Sequence, residues 1–308
     1  MMLSTHRQLA RSCYYKQQQQ QWRGWLIRSF SSSTSADKKD DDTKPTTTSV
    51  LQQQKLEVWR DRVGKGVGQV IFLNSPTAGG ILLASLAVGD PNLATLAAVG
   101  TVASTATAYV AGKQHEGTMD AGLLAYNGCL IGCAAGGFLL PLHYGIFSTT
   151  LWTLVLAPTS TVVSLVLPKV TGSVPQWTWA FNAVALSQLL HIKPLAAAVT
   201  EGAVATAAPS FGALAVSPMV GLSQIFVVNS AYTGLGITAA IASYSPHLAA
   251  HAVMGSTLGC LTGAALGAGT DAIAMGLWGY NAALTSMAVG VFFQNTRSAW
   301  IMSAGGAV

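Results

Sequence analysis

From Val67 to Val308 the chain carries formal charge only at Asp90, Lys113, Glu116, Asp120, Lys169, Lys193, Glu201, Asp271 and Arg297. A water-soluble fold of that length needs far more charge on its surface. Apolar blocks lie at 67–88, 93–112, 121–142, 146–167, 177–190 and 195–216. Most reach the ~20 residues that cross a ~30 Å hydrocarbon core. Short breaks such as GDPN and GKQHEGTMD separate them. The fold class is therefore all-α: a polytopic helical membrane protein. Its loops hold too few Lys and Arg for their asymmetry to orient it.

Uncharged polar residues recur inside the apolar part. GVGQVIFLNSPTAGG ends at Gly80, and GLSQIFVVNSAYTGL runs from Gly221 to Leu235. Gln69 matches Gln224, Asn74 matches Asn229, Ser75 matches Ser230 and Gly79 matches Gly234. After a one-residue slip, AGLLAYNGCLIGCAAGGF (121–138) aligns with MGLWGYNAALTSMAVGVF (275–292). That pairs Tyr126 with Tyr280, Asn127 with Asn281, Leu130 with Leu284 and Phe138 with Phe292. The chain contains two homologous halves, and internal repeats of this kind place a transport site where the halves meet. Six full crossings per half make a parallel pair, five plus a re-entrant segment an inverted one. The block 177–190 and the segment interrupted at Pro76 are the candidates for incomplete helices. A helix broken at membrane depth must line a cavity or be buried in protein. Gln69 and Gln224 offer donors and acceptors without charge, which suits a small, neutral, hydrogen-bonding solute.

At these residues the sequence resembles the urea transporter family. The resemblance covers 66–308 and is carried by QVIFLNSPTAGG, by the GLLAYNGCLIG and GLWGYNAALTS pair, and by VPQWTWAFN at 174–182. It implies two inverted halves, each of five crossings and one tilted re-entrant helix, a homotrimer with a pore through every protomer, and urea as the solute. It further implies a filter lined by Gln69, Phe72, Tyr126, Leu130, Thr178, Gln224, Tyr280 and Leu284, with Asn74, Asn127, Asn229 and Asn281 as supporting residues near the pore. Membrane lipid is the other expected partner; nucleic acid, cofactors and metals are not expected. Two departures stand out. Val227 occupies the repeat counterpart of Phe72, and NSP and NSA replace the family's commoner Asn-Asn-Pro or Asp-Asn-Pro. In addition, Thr178 displaced by the repeat offset falls beyond Val308, so the second half is read as incomplete, from an unfinished gene model or a truncated paralogue.

Rival classes are weaker. NSP and NSA faintly resemble the paired Asn-Pro-Ala motifs of water and glycerol channels, but the QxxF and YNxxL pairs do not. An ion-coupled transporter needs an intramembrane carboxylate; Asp120 and Asp271 are instead expected at helix N-termini, where the macrodipole favours them. His247 and His251, four apart, lack a third metal ligand and read as structural; Glu201 is assigned no role. Cys129 and Cys133 read as small packing residues. Gly128, Gly132 and Gly136 form a close-approach series. No phosphate-binding loop supports ATP drive, and no enzyme activity is expected.

The segments are read as follows. Residues 1–36 are basic, Ser-rich and free of acid, as in a mitochondrial transit peptide, which points to the mitochondrial inner membrane with the plasma membrane as alternative. A disordered tail is the other reading of this segment. Residues 37–65 are a polar linker and a short amphipathic helix on the membrane surface, 66–220 the first repeat and 221–308 the second.

Overall fold

The computed structural model describes residues 47–112, 115–172, 176–189, 211–293 and 295–308. Segment 1–36, read above as a transit peptide or a disordered tail, lies outside the described residues, as do Lys193 and Glu201. The chain divides into two units, 1–51 and 52–308; of the first, only the helical backbone at 47–51 is described.

Every regular element among the described residues is helical. In chain order they are α1 (Thr47–Gly68), α2 (Pro76–Gly89), α3 (Pro91–Ala111), α4 (Glu116–Asp120), α5 (Tyr126–Ala134, continued by a wider turn over Ala135–Leu139), α6 (Ile146–Thr171), α7 (Trp179–Leu189), α8 (Phe211–Gln224), α9 (Ala231–Tyr244), α10 (Pro246–Ala265), α11 (Thr270–Ala274), α12 (Gly279–Phe292) and α13 (Arg297–Gly306). Helices α3, α6 and α10 are long and apolar enough to cross a membrane. The apolar block 67–88 is not one helix. It contains the end of α1, a break, and the 14-residue α2, with a bend of 70° between the two helices. Helix α2 rises about 21 Å at 1.5 Å per residue, short of a full crossing. Of the other segment flagged as incomplete, the described part is α7.

The long helices are polar inward and apolar outward. On α6, Thr149, Thr153, Ser160 and Thr161 are buried while Leu151, Leu154, Val155, Val162 and Val166 are exposed. In lipid the driving force between helices is close packing and hydrogen bonding, so small and hydroxyl-bearing faces turn toward each other. Ser104 Oγ donates to the Ala157 carbonyl at 3.0 Å, Thr161 Oγ1 to the Leu124 carbonyl at 3.2 Å, and Ser256 Oγ to the Pro218 carbonyl at 2.7 Å. The glycine series on α5 packs against α3. A Cβ at Gly132 would lie 2.0 Å from the Leu96 carbonyl oxygen, and one at Gly128 would lie 2.0 Å from Ser104 Oγ.

The two halves repeat in three dimensions. Helices α2 to α5 answer to α9 to α12 in order and near-equal length. Gly79 fits against the Gly64 carbonyl as Gly234 fits against that of Met219, and both pairs share one sequence offset. Gly100 meets the Gly128 carbonyl as Gly255 meets that of Ala282. The one-residue slip falls at the C-terminal end of the long helix, since α3 has 21 residues and α10 has 20.

Charge near the start of the membrane part is used internally. The surface helix expected around 56–67 is the latter part of α1, and its Arg62 is only 7% exposed. Arg62 Nε donates to Asp120 Oδ1 at 2.8 Å, and Glu116 lies 3.8 Å away. Asp120 ends α4 rather than beginning it, so Arg62 and not a helix dipole stabilises it; Asp271 does sit in the first turn of α11. Asp120→Asn is expected to cost about 1–3 kcal/mol, the range for a hydrogen bond to a charged group with the acid half-exposed. Thermal unfolding in detergent measures it; an unchanged midpoint would remove the ion pair from the account.

Candidate functional site

The recurring Gln…Asn-Ser stretches fold into two copies of one backbone device. Helix α1 ends where the Phe72 N–H donates to the Gln69 carbonyl at 3.3 Å and the Leu73 N–H to that of Gly68 at 2.9 Å. Helix α8 ends in the same way, Val227 to Gln224 at 3.0 Å and Val228 to Ser223 at 3.2 Å. This is the Schellman closure, which needs a left-handed residue just past the helix, usually glycine. Here the positions hold Phe72 at φ 65° and Val227 at φ 62°. A bulky or β-branched residue there costs about 1–2 kcal/mol, and strain of this kind concentrates at functional sites. Three residues on, Ser75 and Ser230 cap α2 and α9, each accepting from a backbone N–H at 3.2 Å. The capping serines restart the chain in a new direction.

The breaks differ in one respect. A Cβ at Gly68 would lie 2.3 Å from the Leu73 carbonyl oxygen, so the first break tolerates no side chain there. At the matching position Ser223 bridges the second break, donating to the Val228 carbonyl at 2.6 Å and accepting from the Ser230 N–H at 3.3 Å.

Each short helix runs into the break of the other half. At the end of α2, a Cβ on Gly89 would lie 2.3 Å from Thr233 Oγ1 and 2.7 Å from Val228 Cγ1. Further back, Ser85 Oγ stands 2.3 Å from where a Gly236 Cβ would be. Later residues of α2 thus meet earlier residues of α9, and the two helices pass in opposite directions. At the end of α9, Tyr244 packs on the same core cluster as Leu73 of the first break. The interlock is buried: Val70, Ile71, Leu73, Leu130, Ile225, Phe226, Val228, Ala283 and Met287 form one core cluster drawn from both halves.

Most of the predicted filter residues gather on that cluster. Leu130 belongs to it at 7% exposure, and Phe72, Tyr126, Tyr280 and Leu284 pack against it half-buried. Gln69 and Gln224 are half-buried at the C-terminal ends of α1 and α8, next in sequence to cluster residues Val70 and Ile225. Gln69 Nε2 donates to the Ala121 carbonyl at 2.8 Å, which fixes the amide and leaves Oε1 as its acceptor. The Tyr126 hydroxyl donates to the Trp177 carbonyl, which brings Thr178, the next residue, to the first-half side of the site. Thr178 Oγ1 accepts from Asn182 at 3.3 Å.

The four asparagines separate. Asn127 is 2% exposed and its Nδ2 donates to Ser164 Oγ on α6 at 3.2 Å, a packing role. Asn74 is half-buried, with its Oδ1 enclosed and without a hydrogen-bond partner. Asn229 and Asn281 are exposed. Asn127→Ala should cost about 1–2 kcal/mol, as for a lost buried hydrogen bond, seen as lower detergent stability together with lower flux. Full stability with altered solute preference would instead make Asn127 a solute contact.

Three features escape sequence reasoning. Phe292 stands edge-on to Phe72 with ring centroids 6.0 Å apart. Its repeat mate Phe138 was visible, but the cross-half contact was not. Gly137 approaches Val227 so closely that a Cβ would lie 2.5 Å from Val227 Cγ1, so the smaller residue at 227 is matched by a neighbour without a side chain. The third feature is the Ser223 bridge. Two grooves along α1, of about 530 and 770 Å³, include none of the predicted filter residues. Both are open, the larger lying between α1, α2 and α3, and the buried junction of the halves is the better candidate. No group of three or more metal-ligating side chains occurs among the described residues.

A family profile described as urea transporter matches residues 61–308. Urea transporter 1 of Ovis aries is 32% identical over 246 residues, covering 76% of this chain and 63% of that protein. Urea transporter 1 of Mus musculus is 31% identical over 246 residues with the same coverage. The chain therefore spans somewhat less than two thirds of the length of these curated relatives.

Proposed function

Because this chain belongs to the urea transporter family, we propose that it conducts urea passively across a membrane. The path runs through a filter where the two halves interlock. The observation that carries this reading is the pair of matched helix breaks, which set Gln69 and Gln224 at equivalent points beside one buried cluster. Phe72, Tyr126 and Leu130 from the first half and Tyr280 and Leu284 from the second supply apolar walls, with Thr178 beside Tyr126.

Urea is flat and neutral, with four N–H donors and one carbonyl acceptor. Broad apolar side chains stack on its faces and limit the thickness of what passes. In its plane, acceptors such as Gln69 Oε1 replace the water that the N–H groups leave behind. An ion finds no opposite charge in such a lining, which makes its entry costly. Each contact must stay weak enough for release. The opposed passage of α2 and α9 supports halves inverted about an axis in the membrane plane. The repeats are 66–220 and 221–308, and a homotrimer is the assembly, to be read by cross-linking in lipid. Residues 1–36 are proposed as a mitochondrial address. A fluorescent fusion of that segment accumulating at the plasma membrane or staying diffuse would withdraw this.

Proteoliposomes holding this chain should shrink and reswell in a urea gradient several-fold faster than empty vesicles, with water and glycerol permeability unchanged. Urea rates equal to those of empty vesicles would overturn the proposal; a rise in glycerol and water permeability alone would turn it into a water or glycerol channel.

A further inference from the structure

His251 on α10 is fully buried, and helix α13 docks on it. Its Nδ1 lies 2.7 Å from Ser303 Oγ. Ser303 in turn lies 2.5 Å from Ser286 Oγ and donates to the Ser286 carbonyl at 3.1 Å. The imidazole stacks on Trp300, centroids 3.8 Å apart and planes 15° off parallel. His247 stands edge-on to both rings, at 4.6 and 5.1 Å. On the other side α12 passes with no side chain at Gly290, where a Cβ would lie 2.9 Å from His251 Cδ2. His251 Nε2 is enclosed and has no hydrogen-bond partner. The first half has Leu96 and Gly132 where this cluster has His251 and Ser286, so the duplicated fold does not require an ionisable group here.

A neutral imidazole fits these contacts when Nδ1 carries its proton. Ser303 has one hydroxyl proton, and the Ser286 carbonyl accepts it. Ser303 Oγ then accepts from Nδ1–H of a neutral imidazole, and Nε2 is left as a bare lone pair. Adding a proton creates an N–H at Nε2 facing no acceptor, and a charge with no counter-ion, among the described residues. Around it, α10 contributes His247, a second imidazole. Helix α12 contributes Ser286 and Gly290, and its titratable Tyr280 is more than a turn away at its other end. Helix α13 contributes Trp300 and Ser303, with exposed Arg297 one turn earlier and of the same sign. Helix α8 carries no ionisable side chain, α9 has only Tyr232 and Tyr244, and Asp271 of α11 follows the far end of α10. The stacked Trp300 face attracts a cation, but one ring does not offset an unpaired buried donor and lost hydration.

We infer that His251 is a proton-sensitive latch: neutral, it holds α13 against α10 and α12, and protonated, it lets α13 go. An intramembrane ionisable residue is a functional candidate by default, and histidine is the side chain whose charge changes nearest neutral pH.

Hydrogen exchange of residues 297–306 in the full chain, in lipid nanodiscs at pH 7.5 and 5.5, tests this. After correction for the intrinsic rate, protection of α13 should fall about tenfold at the lower pH while that of α3 stays constant. Two variants lose the pH response: His251→Leu, the residue used at the matching first-half position, and His251→Asn, whose side-chain N–H still reaches Ser303. Should the leucine variant not fold, the asparagine variant alone decides. Equal protection at both pH values in the unaltered chain, or an undiminished response in His251→Asn, overturns the latch.

Discussion

Alanine at Gly79 or Gly234 should abolish the folded protein, whereas alanine at the adjacent Gly80 should leave it intact. The new methyl at Gly79 would lie 1.8 Å from the Gly64 carbonyl oxygen, and at Gly234 1.8 Å from that of Met219. Both obstacles are backbone, held inside the helices α1 and α8, so no side-chain rotation relieves them. Overpacking typically costs about 1–3 kcal/mol, and more where the backbone must move. The helices that would have to separate, α1 from α2 and α8 from α9, are those that carry the two breaks, so the junction of the halves opens with them. Against a total stability of about 5–15 kcal/mol, that is decisive. At Gly80 nothing lies within 4 Å of the added methyl, and alanine for glycine inside a helix gains up to about 1 kcal/mol. Fluorescence-detected gel filtration and thermal midpoints of the three variants read the contrast. A Gly79→Ala protein as stable as Gly80→Ala would mean that α1 and α2 do not meet as described.

The second large effect is expected at Gln69. Gln69→Leu keeps the volume and the apolar contact but removes both the bond to the Ala121 carbonyl and the Oε1 acceptor. A solute that has shed water then lacks one compensating hydrogen bond, about 1–1.5 kcal/mol, or roughly tenfold in permeability. Urea flux should fall about tenfold in Gln69→Leu and by a similar factor in Gln224→Leu, with water permeability unaffected. Gln69→Glu, which keeps the oxygens, should depress urea flux and admit cations. If both leucine variants conduct urea at the unaltered rate, the glutamines do not line the path and the filter lies elsewhere on the cluster.

How much of this was legible beforehand depends on the range of the interaction. Helix breaks are local, so Gln69, Ser75 and Pro76 announced the first, and the repeat then placed the second at Gln224 and Ser230. Close helix approach is also local in sequence, and the spacing of Gly128, Gly132 and Gly136 was enough. The burial of Arg62 was not legible, because the partner that draws it inward, Asp120, lies 58 residues away. The stack on Trp300 and the bond to Ser303 needed the return of α13, 52 residues after His251.

The amino-acid sequence by itself determined that the chain is a helical membrane protein, duplicated, with uncharged polar residues at its helix breaks. Charge scarcity and local backbone chemistry carry that information wherever the chain goes. Only the tertiary structure decided that α2 and α9 pass in opposite directions, each ending in the other's break, and that Phe72 faces Phe292 while Val227 faces Gly137. Those are contacts between halves, set by which surfaces fit once the whole chain is packed, and no periodicity within either half encodes them.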